Sequence, residues 1–212
     1  MSRSYDNFTL LESPLVKRDV TILRDKNTQP EGFRAAVKRL SNMLAVEISR
    51  DFKIEEIEVE TPLEKTAGYR LEQDVVLVPV LRAGLGMSAG FLELIPDAKF
   101  GHIGLQRDEV TLNPVEYYFK MPKNLESSEV ILIDPMLATG GSASEAIKYL
   151  KKKGAGKIVF ACLVASPVGI EKILRDHPDV RIFGAAIDRE LNEKGYILPG
   201  LGDAGDRTFG TL

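Results

Sequence analysis

The chain has 212 residues, 44% of them hydrophobic and 28% charged, with a formal net charge of −3. This is enough length to bury a useful core, and a single domain, 1–212, is expected. A pI near 5.6 offers no basic footprint for nucleic acid, and the absence of an apolar h-region or a run of ~18 apolar residues argues against secretion and membrane spanning.

Residues 1–29 carry Pro14, several charges and little periodicity before Val20-Thr21-Ile22-Leu23, and are read as an arm that packs on its own domain or on a neighbour. Pro30 opens a helix over about 30–52, with Phe33, Val37, Leu40, Leu44 and Ile48 at helical spacing. Asn27 or Thr28 is the expected cap. Ile57 and Val59 alternate with glutamates, which reads as a strand with one face in water. Val75 to Leu81 is a buried strand, Gly84 to Ile95 a helix ended by Pro96, and Lys99 to Leu105 a strand. Residues 107–122 lack helical periodicity and hold Asn113-Pro114 and Tyr117-Tyr118-Phe119, so a projecting β-hairpin is expected.

Val130 to Ile133 is a β-branched apolar run that ends in Asp134, and Pro135 turns the chain out of the sheet. Thr139-Gly140-Gly141-Ser142 then leads into an amphipathic helix, ended by Lys151-Lys152-Lys153-Gly154. Lys157 to Ala165 is another buried strand, and Cys162 within it is read as core packing in a reducing compartment. Ser166 caps a helix over Pro167 to Asp176, and Val180 to Ile187 is a last parallel strand. Strands alternating with helices in this way predict an α/β fold with a mostly parallel central sheet flanked by helices, its ligand lying at the C-terminal strand ends where strand order reverses.

Asp134 to Ser142 has the chemistry of a phosphate site. Two glycines let the backbone approach an anion, Thr139 and Ser142 add hydroxyl donors, and a helix start favours negative charge. Asp134 would repel a phosphate and suits sugar hydroxyls, so the pair of features points to a ribose phosphate. A second strand and small-residue turn, Val78-Pro79-Val80-Leu81-Arg82-Ala83-Gly84-Leu85-Gly86, places a guanidinium fork, which suits pyrophosphate, at a strand end. His102 and His177 fall in no metal-ligand spacing, and no Ser/His/Asp arrangement can be argued from the sequence.

Asp134-Pro135-Met136-Leu137-Ala138-Thr139-Gly140-Gly141-Ser142 resembles the 5-phosphoribosyl-1-pyrophosphate (PRPP) motif of type I phosphoribosyltransferases, in the form used by uracil phosphoribosyltransferases. Pro135 stands where the general motif has a second acid, leaving Asp134 alone for the ribose hydroxyls. Arg82 matches the family's pyrophosphate-loop arginine. Arg107 matches a second pyrophosphate contact, although Gln106 replaces the tyrosine usual before it. The hairpin 107–122 would then be a lid, and the tail 188–212, from Leu191-Asn192-Glu193-Lys194-Gly195-Tyr196 to Gly210, resembles the family's uracil-binding hood.

The resemblance implies transfer of the phosphoribosyl group to uracil N1, with Asp203, Arg107 and Asp134 in catalysis. The stretch 134–142 with Arg82, Arg107 and Asp203 would bind PRPP. Backbone groups of Ile197, Gly202 and Ala204, beside Asp203, would read uracil. Mg²⁺ would arrive with PRPP and lie near Asp203, with no direct protein ligand. A cytoplasmic homo-oligomer, dimer or tetramer, is implied, with a GTP effector in some members and no nucleic-acid or membrane partner.

Three rivals remain open at this point. One is a transferase for another base such as a purine, and another is a nucleotide-sensing regulator that binds RNA. The third is a dinucleotide enzyme, because Gly200, Gly202 and Gly205 satisfy G-x-G-x-x-G. That fingerprint needs a preceding strand, a following helix and an acid about 20 residues on, and too few residues follow Gly205.

Overall fold

The computed structural model describes residues 5–107 and 114–211. In chain order the elements are β1 (Phe8–Leu10), α1 (Pro14–Arg24), α2 (Pro30–Ser49), β2 (Ile54–Glu60), β3 (Lys65–Leu71), β4 (Val75–Leu81) and α3 (Leu85–Leu94). There follow β5 (Lys99–Phe100), β6 (His102–Arg107), β7 (Pro114–Lys120), β8 (Glu129–Ile133), β9 (Met136–Leu137) and α4 (Gly141–Lys152). The chain closes with β10 (Lys157–Ala165), α5 (Pro167–Asp176), β11 (Arg181–Ile187), β12 (Glu190–Leu191), β13 (Ile197–Leu198) and α6 (Ala204–Phe209).

The main sheet runs β1-β11-β10-β8-β4-β6-β7. Its pairings are parallel except that of β6 with β7, with the short β5 and β9 attached to β4 and β10. Alternate strand residues feed two cores. Leu77, Ile131, Ile133, Ala161 and Leu163 face α1, α2 and α3. Val76, Val78, Val130, Leu132 and Phe160 face α4 and α5. A sheet covered on both faces needs apolar residues at every strand position, which is why β4, β8 and β10 read as unbroken hydrophobic runs. Cys162 is fully buried among them, and burial raises its thiol pKa.

After β4 the chain moves outward through β5 and β6. It then returns to lay β8 on the other side of β4 and continues to β10 and β11. Strand order therefore reverses between β4 and β8, and the crevice at their C-terminal ends is where ligands of such sheets lie.

Of the two places expected for the arm, it packs on its own domain: β1 pairs with β11, and α1 buries Val16, Val20 and Leu23 against the first core. Three details differ from the sequence-based expectation. Gln29 takes the cap position of α2 without a side-chain bond to the helix start, its Nε2 donating instead to the Asn27 carbonyl at 3.2 Å. Asn27 and Thr28 instead hold the turn, the Asn27 N–H donating to Asp25 Oδ1 at 2.9 Å and Thr28 Oγ1 to the Ile22 carbonyl at 2.7 Å. β2 has no buried residue, only Glu55 and Ile57 being partly covered, because it pairs only with β3 in a two-stranded hairpin that stands apart from the main sheet. The predicted flap is rooted deeper than 107, since β6 itself is the inner strand of an antiparallel pair with β7.

Candidate active site

Asp134 follows β8 directly, so its place at the mouth of the crevice is fixed by the fully buried strand before it. Its N–H donates to the Ala161 carbonyl at 3.1 Å. Its carboxylate accepts only a long bond, 3.3 Å, from the Met136 N–H. Burial pushes its pKa up to about 7, and the Met136 N–H offsets this weakly.

Pro135 lends its carbonyl to the N–H groups of Leu163 and Val164 at 3.0 and 3.1 Å, and β9 pairs Met136 and Leu137 with the end of β10. Ser166 clamps the next residue, its Oγ donating to the Ala138 carbonyl at 2.6 Å while it caps α5 through the Gly169 N–H. Gly169 allows this approach, since a Cβ there would lie 2.6 Å from the Ala138 oxygen and 2.7 Å from that of Leu137. Thr139, Gly140, Gly141 and Ser142 therefore form a short loop braced from β10 and α5.

Gly140, at φ +76°, is the N-cap of α4 and supplies no side chain to the helix start. The first turn holds no acid, only Gly141 and Ser142 with Thr139 Oγ1 beside them, at 3.4 Å from the Gly141 N–H. The start of α4 thus has an acid-free first turn beside the Thr139 hydroxyl, an arrangement suited to a phosphate.

The second loop leaves β4 through a cis peptide between Leu81 and Arg82. It packs directly on the first strand end, for a Cβ on Gly84 would lie 2.5 Å from the Ile133 carbonyl oxygen, next to Asp134. Arg82 is 61% exposed, and one of its Nη atoms lies 3.4 Å from Asp206 Oδ1. Arg107 ends β6, the strand that pairs with the end of β4, and its side chain lies outside the described residues, as do positions 108–113.

The hood approaches both loops. At its hairpin tip a Cβ placed on Gly195 would lie 3.8 Å from the Thr139 methyl. At its other end α6 abuts the pyrophosphate loop, Gly205 against Ala83 and Thr208 against Gly86. Ile197 and Ala204 are buried while Gly202, at φ +82°, is exposed. Asp203, also exposed, caps α6, its Oδ1 accepting from the Asp206 N–H at 2.9 Å. The structure thus places Arg82 beside Asp206 of α6, and the loop that follows Arg82 against both the end of β8 and α6.

What holds the hood was not foreseen. Arg207 is buried and donates to the carbonyls of Leu23, of Leu201 at 2.7 Å and of Asp25 at 2.6 Å, with its guanidinium 4.5 Å from the centre of the Phe33 ring. Burial lowers its pKa. Asp188, also buried, accepts from Arg24 at 2.5 and 2.8 Å and from the Gly200 N–H at 2.8 Å. The one sequence signal was a glycine-rich tail that keeps two aspartates and an arginine.

A Ser/His/Asp group does assemble, contrary to the sequence reading, but not as a catalytic relay. Ser144 Oγ bonds Asp176 Oδ2 at 2.9 Å and lies 3.2 Å from His177 Nε2, so the carboxylate serves the hydroxyl and not the ring. The cluster ties α4 to α5 behind the phosphate loop. Burial lowers the His177 pKa, and Lys172 holds Asp176 down at about 2.

A separate cleft of about 710 Å³ between Tyr5, Val168 and Arg189 is lined in part by the start of the hood, residues 188–191, but by neither glycine loop. Among the described residues no three His, Cys, Asp or Glu side chains gather as a metal cage, and no helix is long and apolar enough to cross a membrane.

A family model described as uracil phosphoribosyltransferase matches residues 10–211. The chain belongs to the uracil phosphoribosyltransferase family. It is 54% identical over 205 residues to the uracil phosphoribosyltransferase of Ligilactobacillus salivarius, with 96% of this chain and 98% of that one aligned. It is 50% identical over 206 residues to that of Salinibacter ruber, covering 97% and 98% of the two chains. A solved protein from Aquifex aeolicus superposes with a TM-score of 0.90 at 38% identity, over 95% of this chain and 97% of that one. A purine phosphoribosyltransferase from Pyrococcus horikoshii shares the fold at a TM-score of 0.50 and 20% identity, over 74% and 89% of the chains. Family membership thus includes the hood as well as the sheet.

Proposed function

We propose that the protein transfers the 5-phosphoribosyl group of PRPP to N1 of uracil, giving UMP and pyrophosphate in pyrimidine salvage. The observation that carries this reading is the hood approaching both glycine loops within a chain that matches the uracil family over residues 10–211. The loop Thr139 to Ser142 would hold the 5′-phosphate and Asp134 the ribose hydroxyls. Arg82 and Arg107 would hold the pyrophosphate. Backbone groups of Ile197, Gly202 and Ala204 suffice for uracil, which offers two carbonyls and an N–H.

The C1–pyrophosphate bond breaks as the C1–N1 bond forms, with inversion at C1 and the N1 proton leaving to solvent. The charge gathered by the leaving group would be met by Arg82 and Arg107. No histidine stands among the candidate site residues, so catalysis rests on positioning, charge and exclusion of water by the hood and flap.

Mg²⁺, when bound, would neutralise pyrophosphate charge. Such an ion is usually held by one or two carboxylates and substrate phosphates. Here the ion would arrive with PRPP and lie near Asp203 without direct ligation by the protein.

A homo-oligomer is supported by the β2–β3 hairpin, which exposes Ile54, Leu63 and Tyr69 away from the core. The GTP effector and a cytoplasmic setting rest on resemblance to the family.

The deciding experiment is pyrophosphate release from PRPP against a panel of bases with Mg²⁺. Uracil should support turnover and adenine, hypoxanthine and guanine should not. Turnover with a purine alone would overturn the reading.

A further inference from the structure

Arg82 and Asp203 approach the pyrophosphate end of the crevice from different segments, and Asp206 touches both. Its Oδ1 lies 3.4 Å from Arg82 Nη2, and its backbone N–H donates to Asp203 Oδ1 at 2.9 Å. Asp206 is itself fixed. Its Oδ1 accepts from Thr211 Oγ1 at 2.6 Å, and its carbonyl accepts from the Gly210 N–H at 2.7 Å. The helix that carries it is pinned beneath by Arg207, and Arg34 donates to the Thr208 carbonyl at 3.0 Å. A long side chain with one anchored contact keeps most of its five donors for a ligand but loses much of its rotamer freedom beforehand.

We propose that Asp206 is a positioning residue for the pyrophosphate end of the site, its carboxylate orienting Arg82 and its backbone N–H orienting Asp203. The inference rests on the proposed phosphoribosyl transfer and adds a residue to it. It makes the hood more than a cover for the base, since the element that reads uracil also aims the cation for the leaving group. Asp206 does not touch substrate and acts only through its two neighbours.

The test compares wild type, Asp206→Ala, Asp206→Asn and Thr211→Val. Two quantities are read: the Kd of inorganic pyrophosphate with Mg²⁺ by titration calorimetry, and the KM values of both substrates. A partly exposed pair is weak, so D206A should raise the pyrophosphate Kd and the PRPP KM by about three- to fivefold. Its uracil KM should stay within about twofold. D206N keeps an acceptor for Arg82 and should restore most of the affinity. T211V removes a bond that fixes the same carboxylate and should raise the pyrophosphate Kd, but by less than D206A does.

Unchanged or tighter pyrophosphate binding by D206A overturns the proposal, and so does an equal loss for uracil, which would mark a merely structural hood defect. Titration does not depend on turnover. A wild-type protein that binds pyrophosphate but makes no UMP therefore counts against the reaction and leaves Asp206 to be judged on the Kd values. One that binds no pyrophosphate removes both.

Discussion

Arg24 and Asp188, 164 residues apart in sequence, are joined by a two-pronged ion pair at 2.5 and 2.8 Å, and Arg24 also donates to the Gly200 carbonyl at 2.9 Å. The first helix therefore carries the hood. With Asp188 nearly inaccessible and Arg24 about a quarter exposed, the pair is desolvated enough that losing one member strands the other.

Asp188→Ala is expected to cost about 2–3 kcal/mol, discounted from the value for a fully buried pair because Arg24 keeps some solvent. For a domain of this size Tm should fall roughly 5–10 °C. The uracil KM should rise more than that of PRPP, because Gly200 loses the acceptor for its N–H. Differential scanning calorimetry with steady-state kinetics checks both, and an unchanged Tm would show that the hood stands without the pair.

Asp134 should impose a pH dependence on donor binding. Its pKa is raised to about 7 by burial. The free protein therefore binds this proton more tightly than the unfolded chain does, and its stability falls as pH rises from near 4 toward 7. Ribose hydroxyls need the ionised carboxylate as acceptor, so PRPP affinity should fall as pH drops through about 7. Asp134→Asn should flatten that profile. A wild-type Kd for PRPP that is level between about pH 6 and pH 8 would contradict the assignment.

Asp203→Asn separates charge from structure. The amide oxygen can still accept from the Asp206 N–H and cap α6. kcat is expected to fall about a hundredfold with little change in Tm, if the carboxylate acts on the charged leaving group. Near-normal turnover would remove Asp203 from the reaction.

Gly84→Ala tests the join between the loops. The added methyl would sit 2.5 Å from the Ile133 carbonyl and 2.7 Å from the Val80 N, both backbone atoms that cannot swing aside. Either the pyrophosphate loop shifts or the protein loses several kcal/mol of stability, on the order of other overpacked sites. The expected result is at least a tenfold loss in kcat/KM for PRPP. Wild-type kinetics would show that Arg82 need not be held against β8.

The buried strands β4, β8 and β10 were legible because a sheet covered on both faces leaves no polar positions to blur the pattern. The caps were mixed. Ser166 and Pro167 start α5 as expected, whereas Asn27 and Thr28 spend their side chains on the turn before α2. Lys65 to Leu71 gave no strand signal, since both faces of the β2–β3 hairpin meet water within the chain and hydrophobic alternation has nothing to report. The phosphate loop and Arg82 could be read locally, because glycine, hydroxyl and guanidinium chemistry is written over a few adjacent residues. Asp206, Arg207 and Asp188 could not, because their partners, Arg82, Leu23 and Arg24, lie more than 100 residues away.

The most direct test of the central claim is a crystal structure with PRPP and Mg²⁺ bound. The 5′-phosphate should lie on the backbone of Thr139 to Ser142, the ribose hydroxyls on Asp134 and the pyrophosphate at Arg82 beneath the hood. Donor density elsewhere, for instance in the cleft beside Tyr5 and Arg189, would contradict the account.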